Sequence, residues 1–372
     1  MMPKHRLAVA FVALAALAGC SLPRGAAMQT EILHNASAET PSFAHYPLDA
    51  ATLAAVSHWP AGKGAVGKRQ WLSGGAGGPG QILAAGDSVQ LAVWESGENK
   101  LLTNPGTPST QLSSATVSAA GTVFVPYVGP VKVAGLSPEG ARQKVQEEVS
   151  KLIPEAQVQL ESVPGKSNSV ALIGGVANPG TVPLLDRSLT VLGLISEGGG
   201  VLPSIENPQL RLQRAGRVYE VSLNRVLEEP ALDAGLRPGD KLIVQKDSRS
   251  FLALGASGTE EIIPFPKDRV NALEAVTLAG GINDARADPK GVLILREYPA
   301  SAVQPEGLGG PSHARVVFSM NLTTADGLFS AQNFAVEPND LVLATESPVV
   351  NTRTILGLFG ATLGVANTAD KL

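Results

Sequence analysis

Leu189-Thr190-Val191-Leu192-Gly193-Leu194-Ile195-Ser196-Glu197-Gly198-Gly199-Gly200-Val201 recurs 81 positions later as Val270-Asn271-Ala272-Leu273-Glu274-Ala275-Val276-Thr277-Leu278-Ala279-Gly280-Gly281-Ile282. Both copies read as two turns of helix with one apolar face, closed by glycines that take the left-handed C-cap. Working outward, an apolar run precedes each helix, Val170-Ala171-Leu172-Ile173-Gly174 in one and Phe251-Leu252-Ala253-Leu254-Gly255 in the other. Each copy closes on a turn and a strand: Pro238-Gly239-Asp240-Lys241-Leu242-Ile243-Val244 and Pro338-Asn339-Asp340-Leu341-Val342-Leu343. The spacing has grown to 100 by this second anchor, so the second copy holds an insertion, placed at the Gly/Pro-rich stretch Pro299–Ala314. Strand, helix, strand with turn-rich links predicts two small α+β units, about Ser169–Asp247 and Ser250–Glu346.

The chain ahead of the repeats has the same texture. In Gly86-Asp87-Ser88-Val89-Gln90-Leu91-Ala92-Val93-Trp94, a Gly-Asp turn opens a strand with alternating Val89, Leu91 and Val93. Two strands follow between Val117 and Val133. Ser137 then caps a helix with Pro138 at its first position, and Ala141, Val145, Val149 and Leu152 recur at helical spacing. Val158, Leu160 and Ser162 close this region as a strand. Residues 20–80 read as a tether, Gly-rich at Ala61–Gly67 and Ser73–Gly80, with a helical stretch over Leu48–Val56. Trp59 and Trp71 are expected to dock from it onto folded surface. Forty glycines, 27 prolines and 4% aromatics agree with many short strands and tight turns, not with long helical bundles.

The one cysteine ends Leu17-Ala18-Gly19-Cys20, behind Lys4, His5, Arg6 and an apolar run too short to span a bilayer. The pattern resembles a bacterial lipoprotein signal, with residues 1–19 removed and Cys20 lipidated. Ser21 after it favours the outer membrane. Ordinary secretory cleavage at Ala16-Leu17-Ala18 is the alternative reading. Several acyl chains at about 0.8 kcal/mol per buried methylene would hold the chain permanently.

At the other end, Ser347 and Pro348 can open a helix. Ile355, Leu356, Leu358, Phe359, Leu363 and Val365 fall on one side of its wheel, a candidate lipid face. Gly357, Gly360, Ala361 and Gly364 fall on the other, a candidate helix-packing face with small-xxx-small spacing. Thr354–Ala366 covers only about 20 Å at 1.5 Å per residue. Counting from Val349 to Ala369 reaches the roughly 20 residues that a membrane span needs, and brings in Asn351, Arg353 and Asn367. A tail docked on the protein is the alternative.

Catalytic and metal chemistry find little support. The five histidines, His5, His34, His45, His58 and His313, have no partner at ligand spacing, and no metal or cofactor is expected. Asp87, Asp240 and Asp340 all stand at a turn before a strand, which reads as turn chemistry in preference to paired-carboxylate catalysis. Gly198-Gly199-Gly200 follows a helix and so cannot cradle phosphate at a helix N-terminus. Lys144, Glu147, Glu148 and Lys151 read as a solvated helix face. A net charge of −4 argues against nucleic acid.

Taken in order, the Cys20 signal, the Gly86-Asp87 strand opening, Pro126-Tyr127-Val128-Gly129 within Gly121–Gly135, and Gly135-Leu136-Ser137 resemble the outer-membrane polysaccharide-export family, the Wza-like capsule and exopolysaccharide exporters. Gly174-Gly175-Val176-Ala177-Asn178-Pro179-Gly180 resembles the start of a soluble-ligand-binding β-grasp repeat. Its counterpart Gly255-Ala256-Ser257-Gly258-Thr259 lacks the Asn-Pro-Gly turn. The resemblance implies an α+β chain in six parts. They are a signal peptide (1–19), a lipid-anchored tether (20–80), a polysaccharide-export domain (81–163), two β-grasp repeats (164–248 and 249–346) and a C-terminal amphipathic membrane helix (347–372). It further implies a non-enzymatic homo-oligomeric ring, mostly periplasmic, that passes polysaccharide through the outer membrane alongside an inner-membrane co-polymerase. The competing expectation is a lipid-anchored periplasmic glycan-binding or scaffold protein without a pore.

Overall fold

A computed structural model describes residues 25–37, 41–64, 70–72, 74, 80–94, 109–111, 114–185, 188–283, 285–305 and 309–350. Cys20 and the whole of 351–372 lie outside these residues. The chain is mixed α+β and divides into two compact units, one of residues 67–247 and one that joins residues 1–66 to 248–372. The first elements are α1 (Gln29–Leu33), β1 (Ala44–Pro47) and α2 (Ala50–Val56), the last capped by Asp49, whose carboxylate accepts from Thr52 N at 2.7 Å.

Within 67–247 the chain first builds β2 (Ser88–Trp94), β3 (Ser109–Gln111), β4 (Ala115–Thr116), β5 (Thr122–Val125), β6 (Gly129–Lys132), α3 (Pro138–Ser150) and β7 (Gln157–Val163). Strand β2 is central. It pairs antiparallel with β7 along its whole length, Ser88↔Val163 to Trp94↔Gln157, and with β3 and β4 on its other edge. The alternation expected of Val89, Leu91 and Val93 is real: all three are buried, packed with Val123, Val125, Val131 and Val133 of the β5–β6 hairpin region. Helix α3 begins where Ser137 and Pro138 predict, with Ser137 Oγ accepting from Gly140 N at 3.0 Å. It buries Ala141, Val145 and Val149, but ends at Ser150. Leu152 therefore lies past the helix and is 52% exposed. The turn at Lys151 and Leu152 carries it off the apolar face, a correction to the sequence pattern.

The first repeat follows as β8 (Ser169–Gly174), β9 (Gly180–Pro183), α4 (Val191–Glu197), β10 (Gln209–Arg214), β11 (Arg217–Ser222), α5 (Leu223–Glu228) and β12 (Lys241–Gln245). Its sheet order is β11-β10-β12-β8-β9, with β12 parallel to β8 and the other pairs antiparallel. The second repeat comprises β13 (Ser250–Gly255), β14 (Glu261–Pro264), α6 (Ala272–Leu278), β15 (Ala287–Glu297), β16 (Arg315–Met320), α7 (Ala325–Asn333) and β17 (Leu341–Glu346). Its order, β16-β15-β17-β13-β14, is the same, again with one parallel pair, β13 and β17. The glycines that end β8 and β13 have matching roles. Gly174 (φ 94°) and Gly255 (φ 92°) bring the backbone so close to the next strand that a Cβ would lie 2.3 Å from Val244 O and 2.2 Å from Ala344 O. Turn length separates the copies. Ala215-Gly216 alone joins β10 to β11, whereas the Pro299–Ala314 insertion lies between β15 and β16.

The stretch read from composition as tether is partly built into both sheets. Strand β1 adds parallel to β16, Ala44↔Val316 to Pro47↔Ser319, making six strands. Trp59 then enters an aromatic cluster, 5.1 Å from Tyr46, 5.9 Å from Tyr298 and 6.3 Å from Phe318 between ring centroids. In the other unit, Gln70 O accepts from Glu220 N of β11, and Trp71 Nε1 donates to Leu232 O at 2.7 Å. The two tryptophans thus dock beside corresponding strands, β16 and β11. Burial of apolar surface at about 25 cal/mol per Å² is what holds such a glycine-rich segment in place.

Candidate functional site

Three aspartates share one local device. Asp87, Asp240 and Asp340 each accept, at 2.8 Å, a hydrogen bond from the backbone N–H three residues earlier, at Ala84, Arg237 and Glu337. All three are buried. The remaining lone pairs go to distant groups. Asp240 faces Arg214 (Nε to Oδ1, 2.9 Å), and Asp340 faces Arg296 (Nε to Oδ1, 3.0 Å). At Asp87 neutral donors take the arginine's place: Gly165 N at 2.7 Å and Asn168 Nδ2 at 3.3 Å. Every carboxylate is occupied, so turn chemistry explains the recurrence.

The Arg296 clasp is the more elaborate. Its guanidinium also pairs with Glu337 at 3.0 Å, donates to Ala335 O at 2.8 Å and lies 4.9 Å over the Phe334 ring. Burial disfavours the cation, but Asp340 and Glu337 overcome this and hold its proton more tightly than an ordinary arginine does. Tyr298 beside it is pushed up to about 12, chiefly by burial. Glu337 reaches into the N-terminal segment as well, accepting from Gly62 N at 2.6 Å.

Among the described residues no cluster of His, Cys, Asp and Glu is placed to hold a metal ion. His45 bonds Ser319 Oγ at 2.8 Å, and burial lowers its pKa below the usual imidazole value. His58 Nδ1 lies 2.9 Å from its own helix, at Ala54 O. Lys144 and Lys151 pair with Glu147 and Glu148 on the exposed face of α3, a solvated charged face.

The β5–β6 hairpin has a different character. Its inward residues are buried valines, while Phe124 is 67% and Tyr127 72% exposed. Tyr127 sits at the turn with φ 65°, a left-handed conformation that costs a side-chain-bearing residue about 1–2 kcal/mol. Pro126 before it and Gly129 (φ 95°) after it fix the bend, and Val128 N donates to Val125 O at 3.2 Å. Two aromatic rings are therefore held in solvent by a rigid, valine-packed base. The alternation in Thr122-Val123-Phe124-Val125 marks Phe124 as outward-facing. The exposure of Tyr127 depends on the turn and has no periodic signal.

The expected lipidation site Cys20 lies outside the described residues. So do the candidate lipid face, Ile355, Leu356, Leu358, Phe359, Leu363 and Val365, and the packing face, Gly357, Gly360, Ala361 and Gly364. Among the described residues no helix is long and apolar enough to cross a membrane. Just before that segment, Ser347 O accepts from Val350 N at 3.1 Å.

The hairpin-bearing domain defines the class. Residues 76–162 match the polysaccharide biosynthesis/export protein family, and the resemblance to outer-membrane polysaccharide exporters holds. The relatives extend it along the chain. The capsule polysaccharide export outer membrane protein CtrA of Neisseria meningitidis serogroup A is 27% identical over 306 residues, 78% of this chain and 79% of that protein. The capsule polysaccharide export protein BexD of Haemophilus influenzae is 27% identical over 316 residues, 80% and 79% of the two chains. The EPS I polysaccharide export outer membrane protein EpsA of Ralstonia nicotianae is 24% identical over 294 residues, 74% and 73%.

Proposed function

We propose that this protein is an outer-membrane lipoprotein whose copies form a conduit for capsular or extracellular polysaccharide. The observation that carries the reading is the export domain at 76–162, set within a match to named capsule exporters over about four fifths of the chain. Its exposed Phe124 and Tyr127 supply flat apolar faces of the kind that pack against the C–H faces of sugar rings.

In this reading Cys20 carries the lipid, and the bulk of the chain hangs in the periplasm. The two repeats, taken as β-grasp units, stack subunits into a ring. The segment 347–372 forms one helix per subunit, with Ile355, Leu356, Leu358, Phe359, Leu363 and Val365 toward lipid and Gly357, Gly360, Ala361 and Gly364 toward neighbouring helices. The conduit is passive: an inner-membrane co-polymerase and the synthetic machinery drive the polymer. Removing residues 348–372 is expected to abolish surface polysaccharide while leaving folded protein still anchored through Cys20. Surface polymer at normal yield from the truncated protein would contradict the conduit.

A further inference from the structure

The turn between β10 and β11 and the turn before β12 meet at one end of the first repeat. Ala215 (φ 49°), Gly216 (φ 77°) and Gly239 (φ 82°) are all left-handed there. A Cβ added at Gly216 or Gly239 would meet nothing within 4 Å, so these turns open onto free space. With Gln213, Arg217, Val218 and Lys241 they line an open groove of about 420 Å³.

The groove has an unbalanced charge. Two other arginines of this repeat face carboxylates: Arg211 faces Glu220 at 3.4 Å and Arg225 faces Glu229 at 3.0 Å. The carboxylate beside the groove, Asp240, already accepts from Arg214 Nε and from Arg237 N. Arg217 and Lys241 are exposed and have no ion-pair partner among the described residues. They face solvent as two cations at the mouth of a concave, glycine-walled site.

The sheet continues the site outward. Thr181, Ala171, Lys241, Gln213 and Val218 are consecutive cross-strand partners on the outer face of the sheet. At a strand spacing of about 4.8 Å, these five strands make a strip about 19 Å long. It offers hydroxyl and amide groups, small residues that keep the surface low, and Val218 at 44% exposure. The second repeat shows that the fold needs none of this. There the corresponding row is Ile262, Leu252, Leu341, Leu295 and Val317, and the short turn is replaced by the Pro299–Ala314 insertion. A sheet of the same topology is built with leucines where the first has Lys241 and Gln213, so the topology does not dictate those polar groups.

We propose that this groove is a subsite for an acidic glycan. Arg217 and Lys241 take the carboxylate of a uronic-acid-type sugar, Gln213 and Thr181 take hydroxyls along the strip, and Val218 meets the C–H face of a ring. The proposal rests on the polysaccharide-export reading and narrows its substrate class to anionic polymers.

The test is calorimetric titration of the full-length, detergent-extracted protein with a short oligogalacturonate and, in parallel, with a neutral malto-oligosaccharide. The acidic oligomer is expected to bind, more weakly as salt rises, and the neutral one not to bind. The double variant Arg217→Gln/Lys241→Gln should lower affinity about tenfold or more, as loss of charged hydrogen bonds does. Lys144→Gln, on the solvated face of α3 and not among the groove's lining residues, should leave it unchanged. Unaltered melting of the double variant, at two exposed positions, guards against misfolding, and Arg217→Lys/Lys241→Arg should restore most binding. No binding of oligogalacturonate at millimolar concentration, equal binding of the neutral oligomer, or full affinity in the double variant would overturn the subsite. None of these results touches the conduit, which stands or falls on export by the protein lacking 348–372.

Discussion

The two repeats share a strand order, a parallel closing pair, a glycine-ended helix and an arginine–aspartate clasp, yet their outer sheet faces are opposites. In the first repeat the two central rows of that face hold Thr181, Ala171, Lys241, Gln213 and Val218, then Ile173, Ile243, Arg211 and Glu220. In the second they hold Ile262, Leu252, Leu341, Leu295 and Val317, then Leu254, Leu343, Leu293 and Ser319. Leu293 is fully buried and Val317 nearly so, while Ile262 is 70% exposed. The inner faces, by contrast, are apolar in both. The two copies thus keep one topology and apolar inner faces while their outer faces diverge.

The clasps give the largest expected difference. Asp340→Ala leaves Arg296, whose side chain is 4% exposed, buried with only Glu337 opposite. Breaking such a pair from one side costs about 3–5 kcal/mol. Asp240→Ala leaves Arg214 at 13% exposure, nearer to water, and should cost less, about 1–3 kcal/mol. Urea denaturation followed by hydrogen exchange in each repeat measures both; equal losses would show that the aromatic and Glu337 contacts around Arg296 add nothing.

A smaller effect separates the faces themselves. Leu341→Lys places a charge among Leu252 and Leu295 and should destabilise the second repeat by about 1–3 kcal/mol. Lys241→Leu, the reciprocal change in the first repeat, should fall within about 0.5 kcal/mol of the parent. Comparable melting shifts for the pair would mean that the two faces have the same surroundings after all.

Much of this architecture was legible in the amino-acid order. The repeated helices, their glycine stops, the Ser137 cap and the Asp turns are local signals, each fixed within a few residues. The insertion was legible as a change of spacing. What escaped depends on distance. Asp240 and Asp340 were visible as turn residues, but their arginines lie 26 and 44 positions upstream. Strand β1 is four residues long, ends in proline and owes its conformation to β16, so composition alone made it tether. The contrast between the two outer faces emerges only after strand pairing tells which side of each strand is shared. The groove at Arg217 and Lys241 was hidden for the same reason, since two separate turns create it.

The central claim is that copies of this chain enclose a path through the outer membrane. Single-particle imaging of the full-length protein extracted in detergent tests it most directly. Closed rings with a helical collar at one end are the predicted result, the collar vanishing when residues 348–372 are removed. Monodisperse monomers with no collar would contradict the conduit and favour a lipid-anchored glycan-binding protein.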